Sequence, residues 1–69
     1  MLEIGKKYIL LNPETSEKKI VQRIKNDDPR IKKMVLQDDI VLFCPDFDFI
    51  STYSIEYLTP LIVGEYNED

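Results

Sequence analysis

The sequence predicts a mainly β fold, a small barrel of four or five short strands with one helical turn before the last strand. Short apolar runs, alternating or continuous, recur along the chain and are separated by polar turn residues and by four prolines. The chain has 69 residues, which is enough for one domain only. We therefore expect a single domain over residues 1–69, with residues 65–69 as a frayed tail.

The first strand is predicted in residues 4–12, "IGKKYILLN", which alternate so that Tyr8 and Leu10 share one side. Asn12 then precedes Pro13, and small polar residues follow. This order is typical of a turn. It is also typical of a helix start, with Asn12 as the N-cap and Pro13 in the first helical position.

The segment after this turn fits two structures. Residues 18–26, "KKIVQRIKN", have apolar positions that suit one face of a helix and equally one face of a strand. The alternative architecture is therefore an α+β fold, in which helices over residues 13–26 and 29–37 pack on a hairpin. A turn or loop around Pro29 separates the two segments in either case.

The strongest strand signal is the continuous apolar run in residues 40–44, "IVLFC", which is typical of a strand that crosses a core. Asp38 and Asp39 lie between "MVLQ" and this run, which predicts a hairpin turn that joins two β-rich segments. Because Cys44 lies within the apolar run, we expect a buried and unreactive thiol.

After Pro45 the letters "DFDF" alternate strictly. A strand here places Asp46 and Asp48 on one face and Phe47 and Phe49 on the other. The aspartates then form an acidic strand edge of the kind that resists edge-to-edge aggregation. The expected core consists of Phe43 and Phe47 with some of Ile40, Leu42, Ile55 and Leu58.

A short helical turn is predicted within residues 51–58, "STYSIEYL". Ser51 or Thr52 begins it in the manner of a capping residue, and its length suits a single 3₁₀ or α-turn. Pro60 follows and ends the turn. The last strand is then predicted in residues 60–63, "PLIV", before Gly64 and the acidic tail.

This layout resembles the SH3-like β-barrel, in which a one-turn helix precedes the final strand. More loosely, it is similar to small barrel proteins of bacterial viruses, which often pair a G-x-x-Y opening strand with an aromatic, acidic segment near the end. The matching residues are Gly5, Tyr8 and the stretch 46–61. The resemblance covers most of the chain and lies in the order of elements.

The charges are divided between the two halves of the chain. Residues 1–37 carry nine positive and five negative charges, whereas residues 38–69 carry eight negative charges and no positive one. One interpretation is that two solvated faces attract each other across a small fold. The other is that the acidic half steers a basic partner. Six of the seven aromatic residues also lie in the acidic half: Phe43, Phe47, Phe49, Tyr53, Tyr57 and Tyr66.

The composition argues against an enzyme. Catalysis by a nucleophile and a base usually needs histidine, and the chain contains none. Asp46 and Asp48 have the spacing of a carboxylate pair, but a glycosidase also needs a cleft that encloses a sugar. As a magnesium or calcium site the same pair lacks a third ligand. We expect no catalytic residue, no metal site and no cofactor.

The chain is expected to be soluble and cytoplasmic, since no signal peptide or membrane span is recognisable and the single cysteine fits a reducing compartment. A domain this small buries only about 60% of the surface that its unfolded chain exposes. Small domains often gain stability from disulfides, metals or partner subunits. A single cysteine and no histidine leave no disulfide or zinc site, so the expected reinforcement is homo-oligomerisation or a permanent partner, and the alternative is a lone compact monomer.

The leading functional hypothesis is a non-enzymatic interaction protein that binds a basic partner surface through its acidic, aromatic half. Tyrosine is enriched at interface hot spots, and carboxylates pair with arginine. If the viral resemblance holds, it implies an inhibitor of a host nucleic-acid-handling or defence protein, as the anti-CRISPR proteins are, acting in the host cytoplasm. The predicted partner-binding residues are Asp46, Asp48, Phe49, Tyr53, Glu56 and Tyr57.

Two alternatives remain. In the first, a homo-oligomer binds a small ligand such as a nucleotide, with tyrosines stacking on the base and Lys18, Lys19, Arg23 or Lys25 holding the phosphates. In the second, the domain is a small barrel that binds RNA or DNA. The net charge of −4 and the scarcity of aromatics in the basic half argue against direct nucleic-acid binding.

Overall fold

The computed structural model describes residues 2–67, which form one five-stranded antiparallel sheet. A four-residue helix, α1, and a 3₁₀ helix lie between the fourth and fifth strands. The strand order is β4-β3-β2-β1-β5. The elements are β1 Lys7–Leu11, β2 Lys18–Ile24, β3 Asp39–Cys44, β4 Phe49–Ser54, α1 Ile55–Leu58, the 3₁₀ helix Thr59–Leu61 and β5 Ile62–Glu65.

The prediction of a mainly β fold with one short helix before the last strand is confirmed. The sheet is not a closed barrel, because β4 and β5 are its two edges and no strand pairing joins them within residues 2–67. The alternative α+β architecture is wrong. Residues 18–24 form the central strand β2, and residues 29–37 contain neither helix nor strand. Pairing with β1 and β3 on both sides decides the structure of a segment whose local pattern was ambiguous.

β1 confirms the strand predicted in residues 4–12, and it pairs with β2, whose segment fitted a helix or a strand equally. Tyr8 pairs with Val21 and Leu10 pairs with Lys19, so these four side chains lie on one face of the sheet. In the turn between the strands, the Asn12 side chain accepts a hydrogen bond from the backbone N–H of residue 14 at 3.0 Å. Asn12 and Pro13 therefore form a turn and do not start a helix.

The hairpin predicted at Asp38 and Asp39 is wrong. β3 begins at Asp39 and pairs with β2, and residues 31–37 contain no strand that could pair with it across such a turn. The connection from β2 to β3 spans residues 25–38 and is held at its base by the Asn26 side-chain amide. This amide donates to the carbonyl oxygens of Asp39 at 2.9 Å and Leu36 at 3.2 Å.

The predicted strand through "DFDF" is a turn over residues 45–48. The Phe47 N–H donates to the Cys44 carbonyl oxygen at 3.3 Å, and Asp48 has a φ of 49°. Aspartate tolerates this left-handed conformation better than most residues. The strict alternation therefore ends at Pro45, and β4 starts at Phe49 opposite Cys44.

The larger core cluster lies on one face of the sheet, which we call the core face, while Ile24 and Val41 are buried on the opposite face. Buried side chains from the three central strands meet Leu58 of α1 and Leu2 of the N-terminal segment. Cys44 is buried, as predicted, and so are Ile40, Leu42 and Leu58. The core residues are Leu2, Tyr8, Val21, Ile40, Leu42, Cys44 and Leu58, with Leu10, Tyr53 and Ile62 packed against them.

Three residues proposed for the core lie elsewhere. Phe47 is 65% exposed because it lies on the β3–β4 turn and not within a strand. Phe43 is half-buried on the sheet face opposite the core, since its neighbours Leu42 and Cys44 point into the core. Ile55 is exposed at the start of α1.

The helix starts three residues later than the earliest predicted start. Ser51 and Thr52 belong to β4, and Ser54 is the N-cap, with its hydroxyl oxygen accepting from the Tyr57 N–H at 3.4 Å. Pro60 lies inside the 3₁₀ helix, so β5 begins two residues after it. Within residues 2–67 no helix has the length and apolar character needed to cross a bilayer.

The predicted tail of residues 65–69 begins inside the fold. Glu65 ends β5, and the next residue, Tyr66, donates its backbone N–H to the Lys7 carbonyl oxygen at 2.9 Å. This bond extends the contact between the last strand and β1. Residues 68 and 69 of the predicted tail lie outside the described residues.

Candidate functional site

One part of the core face is not covered and forms a groove of about 570 Å³. It opens toward the end of the sheet where the β1–β2 and β3–β4 turns lie side by side. We call it the aromatic groove, because four aromatic side chains line it. It is lined by Leu10, Leu11, Asn12, Pro13, Glu14, Lys19, Val21, Leu42, Cys44, Phe47, Phe49, Ser51, Tyr53, Tyr57 and Leu61.

Strand register brings the rings together. Phe49 pairs with Cys44 and Tyr53 pairs with Ile40, so both rings project from the core face. The chain then turns into α1, which returns the Tyr57 ring to lie parallel to that of Tyr53. Their ring planes differ by 6° and their centroids are 6.2 Å apart. This stacking fixes the orientation of two groove walls before any partner binds.

Most of this ring surface is in contact with water. Phe47, Phe49 and Tyr57 are 65%, 59% and 62% exposed, whereas Tyr53 is half-buried against the core. Large apolar side chains that remain exposed together beside a concave surface mark interaction sites in soluble proteins. The exposed rings of the groove are therefore a candidate interaction surface.

Two charged side chains line the aromatic groove, Lys19 and Glu14. Lys19 pairs with Leu10 in the β1–β2 ladder and so lies on the core face. Its ammonium nitrogen is 4.9 Å from the centroid of the Phe47 ring, which is within the range of a cation–π interaction. A ring of this groove thus already contacts a cation in the absence of a partner.

The structure brings together the three aromatic members of the predicted partner-binding set. Phe49, Tyr53 and Tyr57 line one groove, although they come from a strand and a helix. Their acidic companions lie outside its lining. Asp46 is exposed on the β3–β4 turn next to Phe47, and Glu56 is exposed on α1 next to Tyr57.

Asp48 is associated with a different charged cluster. It lies close enough to Arg30 to contribute to raising the pKa of that guanidinium, although the hydrogen bonds that Arg30 donates to Asp28 are the larger cause. The Arg30 guanidinium donates to both carboxylate oxygens of Asp28, at 2.9 and 3.0 Å, and these bonds lower the pKa of Asp28 to about 2. Arg30 also lies over the Phe43 ring, 4.7 Å from its centroid, on the sheet face opposite the groove.

The alternative ligand-binding set is dispersed. Lys19 lines the aromatic groove with Tyr53 and Tyr57, as that hypothesis requires. Lys18 precedes it in β2 and therefore points to the other sheet face. The Arg23 guanidinium donates to the Leu2 carbonyl oxygen, and its Nε is buried without a hydrogen-bond partner among the described residues. Lys25 is exposed beyond the far end of β2.

The sequence does not indicate Phe47 or Glu14 as site residues, and it indicates Lys19 beside the tyrosines only for the small-ligand alternative. The alternation of "DFDF" predicts a strand that places Phe47 in the core. The turn-forming residues Pro45, Asp46 and Asp48 on either side of it were the signal that places this ring at a loop tip. The β1–β2 and β3–β4 turns lie side by side because of the strand order, which cannot be predicted from a local sequence pattern.

No protein-family model, curated protein or solved structure matches this chain. Within the described part of the chain, no three histidine, cysteine, aspartate or glutamate side chains are placed to hold a metal ion. The aromatic groove, with its exposed rings and its two charged residues, is therefore the feature from which we propose a function.

Proposed function

We propose that the protein is a non-enzymatic interaction protein whose aromatic groove binds a partner segment that carries both apolar and positively charged side chains. The observation that supports this most strongly is the set of four rings around a groove of about 570 Å³, three of them largely exposed. Aromatic rings bury apolar side chains and attract cations to their faces.

The charge distribution favours a positively charged partner. Asp46 and Glu56 directly adjoin the groove rings Phe47 and Tyr57 in the chain, and both carboxylates are exposed. No lysine or arginine follows Lys33. Exposed charges around an interface contribute mainly by accelerating association and by excluding partners of like charge. The rings therefore supply the affinity in this proposal, and the acidic residues steer the partner.

The role of an inhibitor of a host nucleic-acid-handling or defence protein is a narrower form of this proposal. Proteins that bind nucleic acid carry clusters of lysine and arginine. Such clusters would be attracted to the carboxylates of Asp46 and Glu56 and to the faces of the groove rings. Binding at such a cluster would compete with nucleic acid. This narrower role and the resemblance to small viral barrels remain predictions.

One observation favours the small-ligand alternative, namely the position of Lys19 beside Tyr53 and Tyr57. A nucleotide that stacked on a tyrosine would find one cation in the groove. It would also find the Glu14 carboxylate, and the other three cations of the predicted set lie outside the lining. A cationic, apolar segment meets Lys19 as its one like charge, but it meets Glu14 in the groove and the exposed Asp46 and Glu56 beside it as opposite charges, so we favour the peptide proposal.

Fluorescence anisotropy with short labelled peptides tests the proposal. A peptide of alternating arginine and leucine is compared with one of alternating glutamate and leucine. We expect the arginine peptide to bind at least about tenfold tighter, a difference of ~1.4 kcal/mol. Tyr57→Ala is expected to weaken this binding about tenfold, since truncated aromatic anchors at interfaces typically cost 1 kcal/mol or more.

Val63→Ala is the matched control, because Val63 is an exposed apolar residue on β5 that does not line the groove. It should leave the affinity unchanged. Equal affinity for the two peptides, or equal binding by the Tyr57→Ala protein, would contradict the proposal. Binding of ATP that Lys19→Gln abolishes would replace it with the small-ligand alternative.

A further inference from the structure

The connection between β2 and β3 carries apolar side chains that the described fold leaves uncovered. Met34 is 89% exposed and Leu36 is 64% exposed. Both lie in residues 30–36, which we call the basic loop, where no helix or strand is formed. Lys32 and Lys33 directly precede Met34, and both are exposed. The chain itself thus contains a segment with the apolar and cationic chemistry that we propose for a groove partner.

We propose that the basic loop of one molecule binds in the aromatic groove of a second copy of this chain. The inference rests on the proposed function of the groove and names one partner for it. The interface is heterologous, since the loop and the groove are different surfaces. Such interfaces form rings if the rotation closes and open chains if it does not.

Charge complementarity supports this choice of occupant. The basic loop contains Arg30, Lys32 and Lys33 and no acidic residue, whereas the chain after residue 37 contains eight acidic residues and no basic one. Arg30 is already paired with Asp28. Neither of the two lysines forms an ion pair within residues 2–67, so both are available to the carboxylates beside the groove.

None of the residues of the basic loop lines the groove of its own molecule, and the first of them lies on the other side of the sheet. Arg30 lies over Phe43, which projects from the face opposite the core. The groove floor is formed by Leu42 and Cys44, which project from the core face of the same strand. A loop–groove contact is therefore a contact between molecules.

Met34 is the residue best suited to enter the groove. Its side chain is unbranched and its thioether makes favourable contacts with aromatic rings, so it adapts to the space between the rings. Lys32 and Lys33 would remain at the rim, near the exposed carboxylates of Asp46 and Glu56. The contact is then apolar at its centre and charged at its edge, as specific interfaces are.

Sedimentation velocity of the full chain tests the contact. We expect the average mass of the wild-type protein to rise with concentration up to about 1 mM, the weak end of specific association. Added salt should reduce this rise, because exposed charge pairs are screened. Met34→Asp and Phe47→Ser should each leave a monomer, the first by altering the loop and the second by altering the groove.

The two variants together give the decisive measurement. Met34→Asp retains an intact groove and Phe47→Ser retains an intact loop, so an equimolar mixture should form a species of two chains that neither variant forms alone. Val63→Asp alters an exposed apolar residue outside both surfaces and should self-associate as the wild type does. Thermal unfolding of each variant verifies that it is folded.

Three outcomes would overturn the inference: a wild-type monomer throughout the concentration range, self-association that survives Met34→Asp, or a mixture that stays monomeric. If the arginine and leucine peptide still binds wild type and binds Tyr57→Ala about tenfold more weakly, the proposed function stands and only the second copy is excluded as its partner. If self-association is absent and the wild-type protein also fails to bind that peptide, the proposed function fails together with the inference.

Discussion

The core face of the sheet has two parts that differ in what covers them. In the covered part, Leu2 and Leu58 close over Tyr8 and Ile40, and all four side chains are buried. In the open part, the aromatic groove leaves the rings of Phe47, Phe49 and Tyr57 in contact with water, although its floor is formed by Val21, Leu42 and Cys44 of the same sheet face. The same strands therefore supply both the core and the candidate binding surface.

The difference shows that an apolar side chain of this sheet is buried only where another element packs over it, and that its hydrophobicity alone does not bury it. α1 is four residues long and buries one side chain, Leu58. It is too short to extend over the turns at the other end of the sheet. The rings there have no element above them, and a partner can supply that cover.

The largest expected effect lies in the covered part. Leu58 is fully buried, so Leu58→Ala removes its methyl groups and leaves a cavity. We expect the free energy of unfolding to fall by about 2–5 kcal/mol, measured by urea denaturation. Leu36→Ala makes the same chemical change at an exposed position and should shift stability by no more than about 0.5 kcal/mol. Equal losses in the two variants would erase the distinction between covered and uncovered apolar residues.

A smaller effect is expected at the turn that carries Leu2 over the core. Gly5 has a φ of 90° and donates its N–H to the Arg23 carbonyl oxygen at 2.7 Å. Gly5→Ala should lower stability by about 1–2 kcal/mol, because a Cβ disfavours this left-handed backbone conformation. Gly64→Ala is the control, since Gly64 has no positive φ and an added methyl group there meets no atom within 4 Å. A loss in Gly64→Ala as large as in Gly5→Ala would contradict the account.

A pH-dependent contribution is expected on the opposite sheet face. Hydrogen bonds from Arg30 lower the pKa of Asp28 from 3.8 to about 2 in the folded protein. The folded state therefore favours the ionised carboxylate, and its stabilisation is fully present above about pH 4 and lost as the pH falls through about 2. Asp28→Asn removes this stabilisation. The difference in free energy of unfolding between wild type and this variant should therefore disappear as the pH falls from about 4 to about 2. A difference that stays constant down to acid pH would contradict this assignment.

The smallest expected effect is at Phe47, and it sharpens the comparison most. A phenylalanine in the core costs about 3–5 kcal/mol when truncated to alanine. Because Phe47 is 65% exposed at the rim of the groove, Phe47→Ala should change the free energy of unfolding by less than about 1 kcal/mol. Chemical denaturation measures this directly. A loss of about 3–5 kcal/mol, as large as that of a core phenylalanine, would show that the open part of the core face is closed in solution.

Local sequence patterns were sufficient for much of the fold. The alternation around Tyr8 and the apolar run that ends at Cys44 each predict the strand that is observed, and the letters at Asn12 fit a turn, one of the two structures that they allow. They succeed because side-chain periodicity and turn chemistry act within a few residues. Phe49, Tyr53 and Tyr57 line one groove, and the sequence indicates them for a different reason, the number of rings. They were more rings than so small a core could bury.

The remaining features depend on contacts between distant parts of the chain. The alternation of "DFDF" fits a strand and a four-residue turn equally, and the pairing of Phe49 with Cys44 selects the turn. β3 pairs with β2 across the long connection of residues 25–38. The predicted hairpin at Asp38 and Asp39 considered only runs that are adjacent in the sequence, so it could not identify this pairing. Lys19 joins the rings only because β2 lies beside β1 and β3.

The central claim is that the open part of the core face is a binding groove for a cationic, apolar segment. NMR of nitrogen-labelled protein during titration with the arginine and leucine peptide tests it most directly. The account predicts that amide shifts change at Phe47, Phe49 and Tyr57 and stay constant at Gly5 and Val63. Changes confined to other surfaces, or no change at saturating peptide, would contradict it.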